Sequence, residues 1–120
     1  MKKISFLFLL FLFLSCPAII TAQVQIESGS FGANTNTKGY TLDKNTGERT
    51  VLVEINFSKP FNIKPQVLLS VTNCDLDAKT NVRYSVEATS VSRDGFVVKI
   101  SSWSDTKIYS IGGTWLAYAE

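Results

Sequence analysis

Nowhere in the 120 residues is there a histidine. Its absence removes the commonest general base and the commonest transition-metal ligand. Cysteine is nearly as scarce, with Cys16 and Cys74 the only two. Cys16 lies in an N-terminal segment expected to be removed. The single remaining thiol, Cys74, is too little for an intrachain disulfide or a conventional structural zinc site. No acidic run has the spacing of a calcium loop, so no metal site and no cofactor are expected. Neither a Gly-x-Ser-x-Gly elbow nor a phosphate loop occurs. Asp75, Asp77 and Asp105 are present, but nothing pairs them across a cleft as glycoside hydrolysis requires. The chain reads as a non-enzyme.

What is present begins with a leader. Lys2 and Lys3 precede an apolar run over residues 4–14 that only Ser5 interrupts, and Ile20-Thr21-Ala22 ends on a small residue. This is the three-part layout of a secretory signal peptide. The run is broken by Ser15-Cys16-Pro17, short of the roughly 20 residues that a membrane span needs. The expected organisation is therefore a signal peptide over 1–22 and one domain over 23–120, secreted, with no membrane span after cleavage. Lipid anchoring at Cys16 is the minority alternative, because Phe13 and Leu14 match a lipoprotein signal poorly. The whole chain carries 12 basic and 10 acidic residues. Loss of Lys2 and Lys3 with the leader brings the two into balance, which argues against nucleic acid or anionic lipid as a partner.

The rest is patterned as strands. Val51, Val53, Ile55 and Phe57 alternate with Leu52, Glu54 and Asn56, the mark of a strand buried on one face. Pro60 and Pro65 bracket the connection to a second strand over residues 66–72, in which Leu68 is apolar on the parity expected to be polar. Residues 73–80 read as a polar connection. Val82, Tyr84, Val86 and Ala88 alternate next, and Asp94-Gly95 marks a tight hairpin turn before Phe96, Val98 and Ile100. A last strand runs from about residue 107 to 118, where Gly112-Gly113 suggests a bulge, and a weaker one covers residues 24–30. No amphipathic helix of useful length appears. The expected fold is all-β: a six-stranded antiparallel β-sandwich. Residues 32–49, rich in Asn, Thr, Gly and Lys, read as a long surface loop, either functional or a plain connector. Leu68, and Val97 on the polar parity of its strand, fit a subunit interface or ordinary exposure.

The segment Trp103-Ser104-Asp105-Thr106-Lys107-Ile108-Tyr109 is where chemistry gathers. An aromatic face packs against the C–H face of a pyranose while neighbouring polar groups bind its hydroxyls. Tryptophans in small domains are more often core, but parity decides otherwise here. A regular strand puts Trp103 on the Val97, Lys99 and Ser101 face, away from Phe96, Val98 and Ile100. Arg83 also lies on the non-core face of its strand, whereas Trp115 sits in an apolar strand as core or interface.

Several ordered segments then carry a resemblance. They are Ile55-Asn56-Phe57-Ser58-Lys59-Pro60-Phe61, Pro65-Gln66-Val67-Leu68-Leu69-Ser70-Val71, Asp75, Asn81-Val82-Arg83, Gly95-Phe96, residues 103–109 and Trp115-Leu116-Ala117. From about residue 51 to 119 the chain resembles the H-type lectin domain family of snail agglutinins and discoidin C-terminal domains. The resemblance implies a six-stranded sandwich that assembles as a homotrimer and binds galactose-type sugars, notably N-acetylgalactosamine, in cell adhesion. It makes Arg83 the sugar-bonding arginine and Trp103 and Tyr109 the aromatic contacts. Ser104 falls at a variable position where a snail agglutinin has histidine. Asp105 either bonds a hydroxyl or orients the turn. A loop acid completes the set, Asp43 in preference to Glu48. Ile100 stands where the snail protein has a disulfide cysteine. The alternative is a secreted interaction or adhesion module that keeps the sandwich without sugar binding.

Overall fold

The computed structural model describes Pro17 and residues 23–120. The expected leader over 1–22, with Cys16, lies outside the described residues apart from Pro17. The remainder forms six strands: β1 (Gln25–Asn34), β2 (Arg49–Asn56), β3 (Gln66–Leu76), β4 (Tyr84–Thr89), β5 (Gly95–Ser102) and β6 (Ile108–Ala119). They make two three-stranded sheets in the orders β1-β6-β3 and β2-β5-β4, antiparallel at every pairing. This is the expected six-stranded antiparallel sandwich.

Period-two alternation builds its core. Val51 on β2 and Phe96, Val98 and Ile100 on β5 turn inward, opposite Phe31 and Ala33 on β1 and Ile111, Trp115 and Ala117 on β6. Each of the valine, isoleucine and phenylalanine side chains among these contributes about 1.5–3 kcal/mol when fully buried. At one end the rings of Phe57, Phe61, Phe96 and Trp115 interlock, with centroids 4.8–5.8 Å apart, in the tilted and edge-on arrangements that aromatic quadrupoles prefer. Trp115 is thus core.

Three local expectations are corrected. The polar segment 73–80 is not wholly a connection, because β3 runs on to Leu76 with Cys74 and Leu76 half-buried. A bulge at Thr72, between the paired residues Val71 and Asn73, restores inward parity after a polar step. The glycine pair of β6 lies opposite that bulge rather than forming it. A Cβ on Gly113 would stand 1.9 Å from the Ser70 carbonyl oxygen, so only glycine admits the bulged backbone so closely. Likewise Asp94-Gly95 is not a two-residue turn. The β4–β5 hairpin closes through residues 90–94, with Ser90 in the left-handed region at φ 51°. Gly95 already belongs to β5, where a Cβ would meet the Ile55 carbonyl at 2.2 Å.

The third correction concerns residues 32–49. Gly32, Ala33 and Asn34 extend β1, and Tyr40, Leu42 and Arg49 are buried. The segment is a packed flap.

The two outer faces differ in chemistry. That of β2-β5-β4 carries Glu54, Lys99 and Glu87, the last two paired across strands. The matching rows on β1-β6-β3 are Ile26–Tyr118–Gln66, Ser28–Leu116–Leu68 and Ser30–Thr114–Ser70, without a charge. Leu68 is exposed on this face, whereas Val97 is half-buried on the other. The two interface candidates therefore do not share a surface.

Candidate functional site

Strand β5 ends on Ser102, fully buried, and the next residue turns outward: Trp103 is 41% exposed. The β4–β5 ladder closes at the Tyr84–Ser102 pair. One step on, the Trp103 amide donates to the Arg83 carbonyl at 3.4 Å. Side chains of directly opposed residues in an antiparallel pair project to one side. The exposed Arg83 and Trp103 are therefore cross-strand neighbours on the outward side.

Thr106 fixes the arginine's backbone. It is fully buried; its hydroxyl donates to the Asn81 carbonyl at 2.7 Å and accepts the Arg83 amide at 3.0 Å. Asp105 clamps the same segment from outside. Its Oδ1 accepts the Asn81 main-chain amide at 3.1 Å and side-chain amide at 3.0 Å. Those bonds hold the Asp105 carboxyl below its ordinary range. Of the two roles open to Asp105, orienting the turn is visible in this geometry, with Oδ2 free of these bonds. Between them Ser104 adopts φ 63°, a left-handed conformation that costs a non-glycine residue roughly 1–2 kcal/mol. Its carbonyl accepts the Gly47 amide at 2.8 Å.

A second group stands on the other sheet. Tyr109, 40% exposed on β6, donates its hydroxyl to Asp77 Oδ2 at 2.9 Å. That bond, ahead of burial and the nearby charge of Asp77, raises the Tyr109 phenol above its ordinary value. Asp77 is lowered, first by the Lys79 amide and then by the Tyr109 hydroxyl. Asp43 lies in the flap, half-buried, with Oδ1 sealed from solvent and without a hydrogen-bond partner. A ligand contact from Asp43 falls to its other oxygen. Beside it Tyr40 is raised well beyond the usual phenol range, by burial first and then by the Asp43 charge; its hydroxyl donates to the Ile108 carbonyl at 2.6 Å. Glu48, the other loop acid, is exposed.

The geometry thus unites Arg83, Trp103, Ser104 and Asp105 in one turn-centred cluster, with Tyr109 and Asp43 in a neighbouring one. Lys107 spans the two, lowering both Asp77 and Asp105 by its charge. Sequence reasoning missed Arg49, Asn81 and Thr106. Arg49 was legible in principle, because it shares the inward parity of Val51, Val53 and Ile55. Nothing in the local pattern marks Thr106 or Asn81, whose partners lie more than twenty residues away. Among the described residues no group of three acidic or thiol side chains could hold a metal.

The antiparallel sandwich thus presents an outward tryptophan beside an outward arginine. The profile of the H-type lectin domain matches residues 52–118, more than half of the chain, and the chain belongs to that family. That family is one of carbohydrate-binding, non-enzymatic domains. Over 101 residues the chain is 29% identical to a discoidin-1 polypeptide of Dictyostelium discoideum, covering 82% of this chain and 40% of that one. Over 71 residues it is 32% identical to the product of ATP synthase subunits region ORF 7 of Fuscovulum blasticum, covering 59% of this chain and 62% of that one. It thus spans less than two thirds of either relative. Two solved structures of discoidin II from Dictyostelium discoideum superpose with TM-scores of 0.71 and 0.72 at 17% identity, over 85% and 86% of this chain and 39% of theirs. At that identity the likeness is one of fold.

Proposed function

We propose that the protein is a secreted, multivalent lectin for glycans ending in galactose-type sugars, N-acetylgalactosamine among them. The observation that carries this reading is the Arg83–Trp103 pair, exposed side by side at the end of the β4–β5 ladder. Trp103 offers a wall for the apolar face of the sugar ring, and Arg83 offers charge-assisted hydrogen bonds to its hydroxyls. Asp105 Oδ2, Ser104 and an oxygen of Asp43 are further polar contacts, with Tyr109 a second aromatic one.

A shallow site of this kind binds weakly alone. Trimerisation multiplies it, and linked sites raise avidity on the order of 10²–10⁴ where geometry lets them engage together. On the outer face of β1-β6-β3 the rows from Ile26 to Ser70 carry no charge and leave Ile26, Leu68 and Leu116 exposed, which supports self-association, since contiguous apolar surface on a sheet face is unfavourable in water. A groove of about 350 Å³ on this face is lined by Ser28, Leu68, Ser70, Thr114 and Leu116. It contains none of the proposed sugar contacts, so the two surfaces have separate roles.

Tyr109 favours a second reading, an interaction module without sugar binding, because its hydroxyl is already engaged by Asp77. A glycan array with the protein and its Trp103→Ala variant separates the two. Binding to terminal galactose or N-acetylgalactosamine, abolished in the variant, is the expected result. Absence of glycan binding by the folded protein would favour the interaction module.

A further inference from the structure

Arg49 is 6% exposed, and every acceptor of its guanidinium is a main-chain carbonyl. Nε donates to Gly47 at 2.9 Å, Nη1 to Lys44 at 3.0 Å, to Leu42 at 3.4 Å and to Thr106 at 2.7 Å, and Nη2 to Ser104 at 3.2 Å. Three of these carbonyls belong to the flap and two to the turn that follows Trp103. Burying a cation among groups without formal charge is costly unless its donors are satisfied. The planar fork aims Nε, Nη1 and Nη2 at five carbonyls at once, with the two Nη1 hydrogens shared among three of them, a reach that an ammonium lacks.

Other bonds cross the same seam. The Gly47 amide reaches the Ser104 carbonyl at 2.8 Å and the Ile108 amide the Leu42 carbonyl at 2.9 Å, and Lys107 Nζ donates to the Asn45 carbonyl. Arg49 is the buried group that bonds both banks, and the seam includes Ser104, whose left-handed backbone needs outside support.

We infer that Arg49 is the positioning residue of the sugar site. It locks the flap and the 103–107 turn into one rigid wall and so presets the stance of Trp103 and Ser104 before a ligand arrives. This inference rests on the lectin reading for its consequence and on the carbonyl network for its geometry. Preorganisation of this kind raises affinity by removing the ordering cost of binding.

The test compares the full chain with Arg49→Lys, and with a Phe61→Leu control in the aromatic cluster at the opposite end of the sandwich. Two readouts are affinity for immobilised galactose and N-acetylgalactosamine, and hydrogen exchange at the Gly47 and Ile108 amides. Arg49→Lys is expected to lose at least about tenfold in sugar affinity, the range that lost preorganisation reaches, and to speed exchange at both amides. Phe61→Leu lowers the melting temperature but leaves both readouts near wild type. Wild-type affinity in a folded Arg49→Lys protein, or equal losses in the control, would overturn the inference. Should the lysine variant not fold, exchange in the sugar-free wild type decides: strand-like protection at Gly47 and Ile108 supports the lock, and loop-like exchange refutes it. If the wild type binds neither sugar, the lectin reading fails, while the exchange data still judge whether Arg49 locks the seam.

Discussion

The amide of Trp103 meets the carbonyl of Arg83 at 3.4 Å, one step beyond the last ladder pair of β4 and β5. An exposed aromatic and an exposed cation are thereby fixed by backbone rather than by contact between their side chains. Either is expected to be removable with the fold intact, which makes the site open to mutation.

The two tryptophans should part company. Trp103→Ala is expected to abolish glycan binding and to shift stability by no more than about 0.5 kcal/mol, as for an ordinary surface change. Trp115→Ala, at 6% exposure against the rings of Phe57 and Phe96, is expected to cost about 3–5 kcal/mol. Urea unfolding alongside the glycan array reads both; a comparable stability loss in the two variants would contradict the outward placement of Trp103.

Thr106→Val keeps shape and removes one hydroxyl, leaving the Asn81 carbonyl and Arg83 amide without their partner. The expected loss is about 1–3 kcal/mol, with faster exchange at the Arg83 amide and weaker sugar binding. Unchanged exchange at Arg83 would show that the hydroxyl does not hold the segment.

Acid should act late. Asp77 and Asp105 have folded pKa values below their unfolded ones. Their contribution is therefore present above the ordinary carboxylate range and lost as pH falls through the lowered values. Tyr109 is raised, so its bond to Asp77 holds below the ordinary phenol value and is lost as pH rises through the higher folded one. Glycan binding by the folded protein is expected to be level between about pH 4 and 10, the ordinary carboxylate and phenol values, and to decline only beyond them, as the shifted groups titrate. A titration with a midpoint near neutrality would point to a group outside this set.

Leu116 sits on the central strand of the β1-β6-β3 sheet and is exposed on its outer face. Leu116→Lys is expected to give a folded monomer in sedimentation, with affinity for free monosaccharide kept and avidity for a glycan-coated surface lost. A trimer that survives the substitution would move the interface elsewhere.

By itself the sequence determined that there are six strands, the inward parity of β2 and β5 and the outward turn of Trp103, because alternation with period two is a local property written residue by residue. Val51, Val98 and Ile100 announced the core, and the ordered run from Ile55 to Ala117 announced the family. The tertiary structure alone decided what residues 32–49 do. Tyr40 and Leu42 lie among polar residues with no regular period, so their burial could not be read locally, and the inward parity of Arg49 does not say what its guanidinium meets. Their partners, among them the carbonyls of Thr106 and Ile108, lie more than fifty residues away. Main-chain carbonyls carry no side-chain signature in a sequence. A buried arginine whose acceptors are all main-chain carbonyls becomes visible only when the fold brings the flap and the turn together.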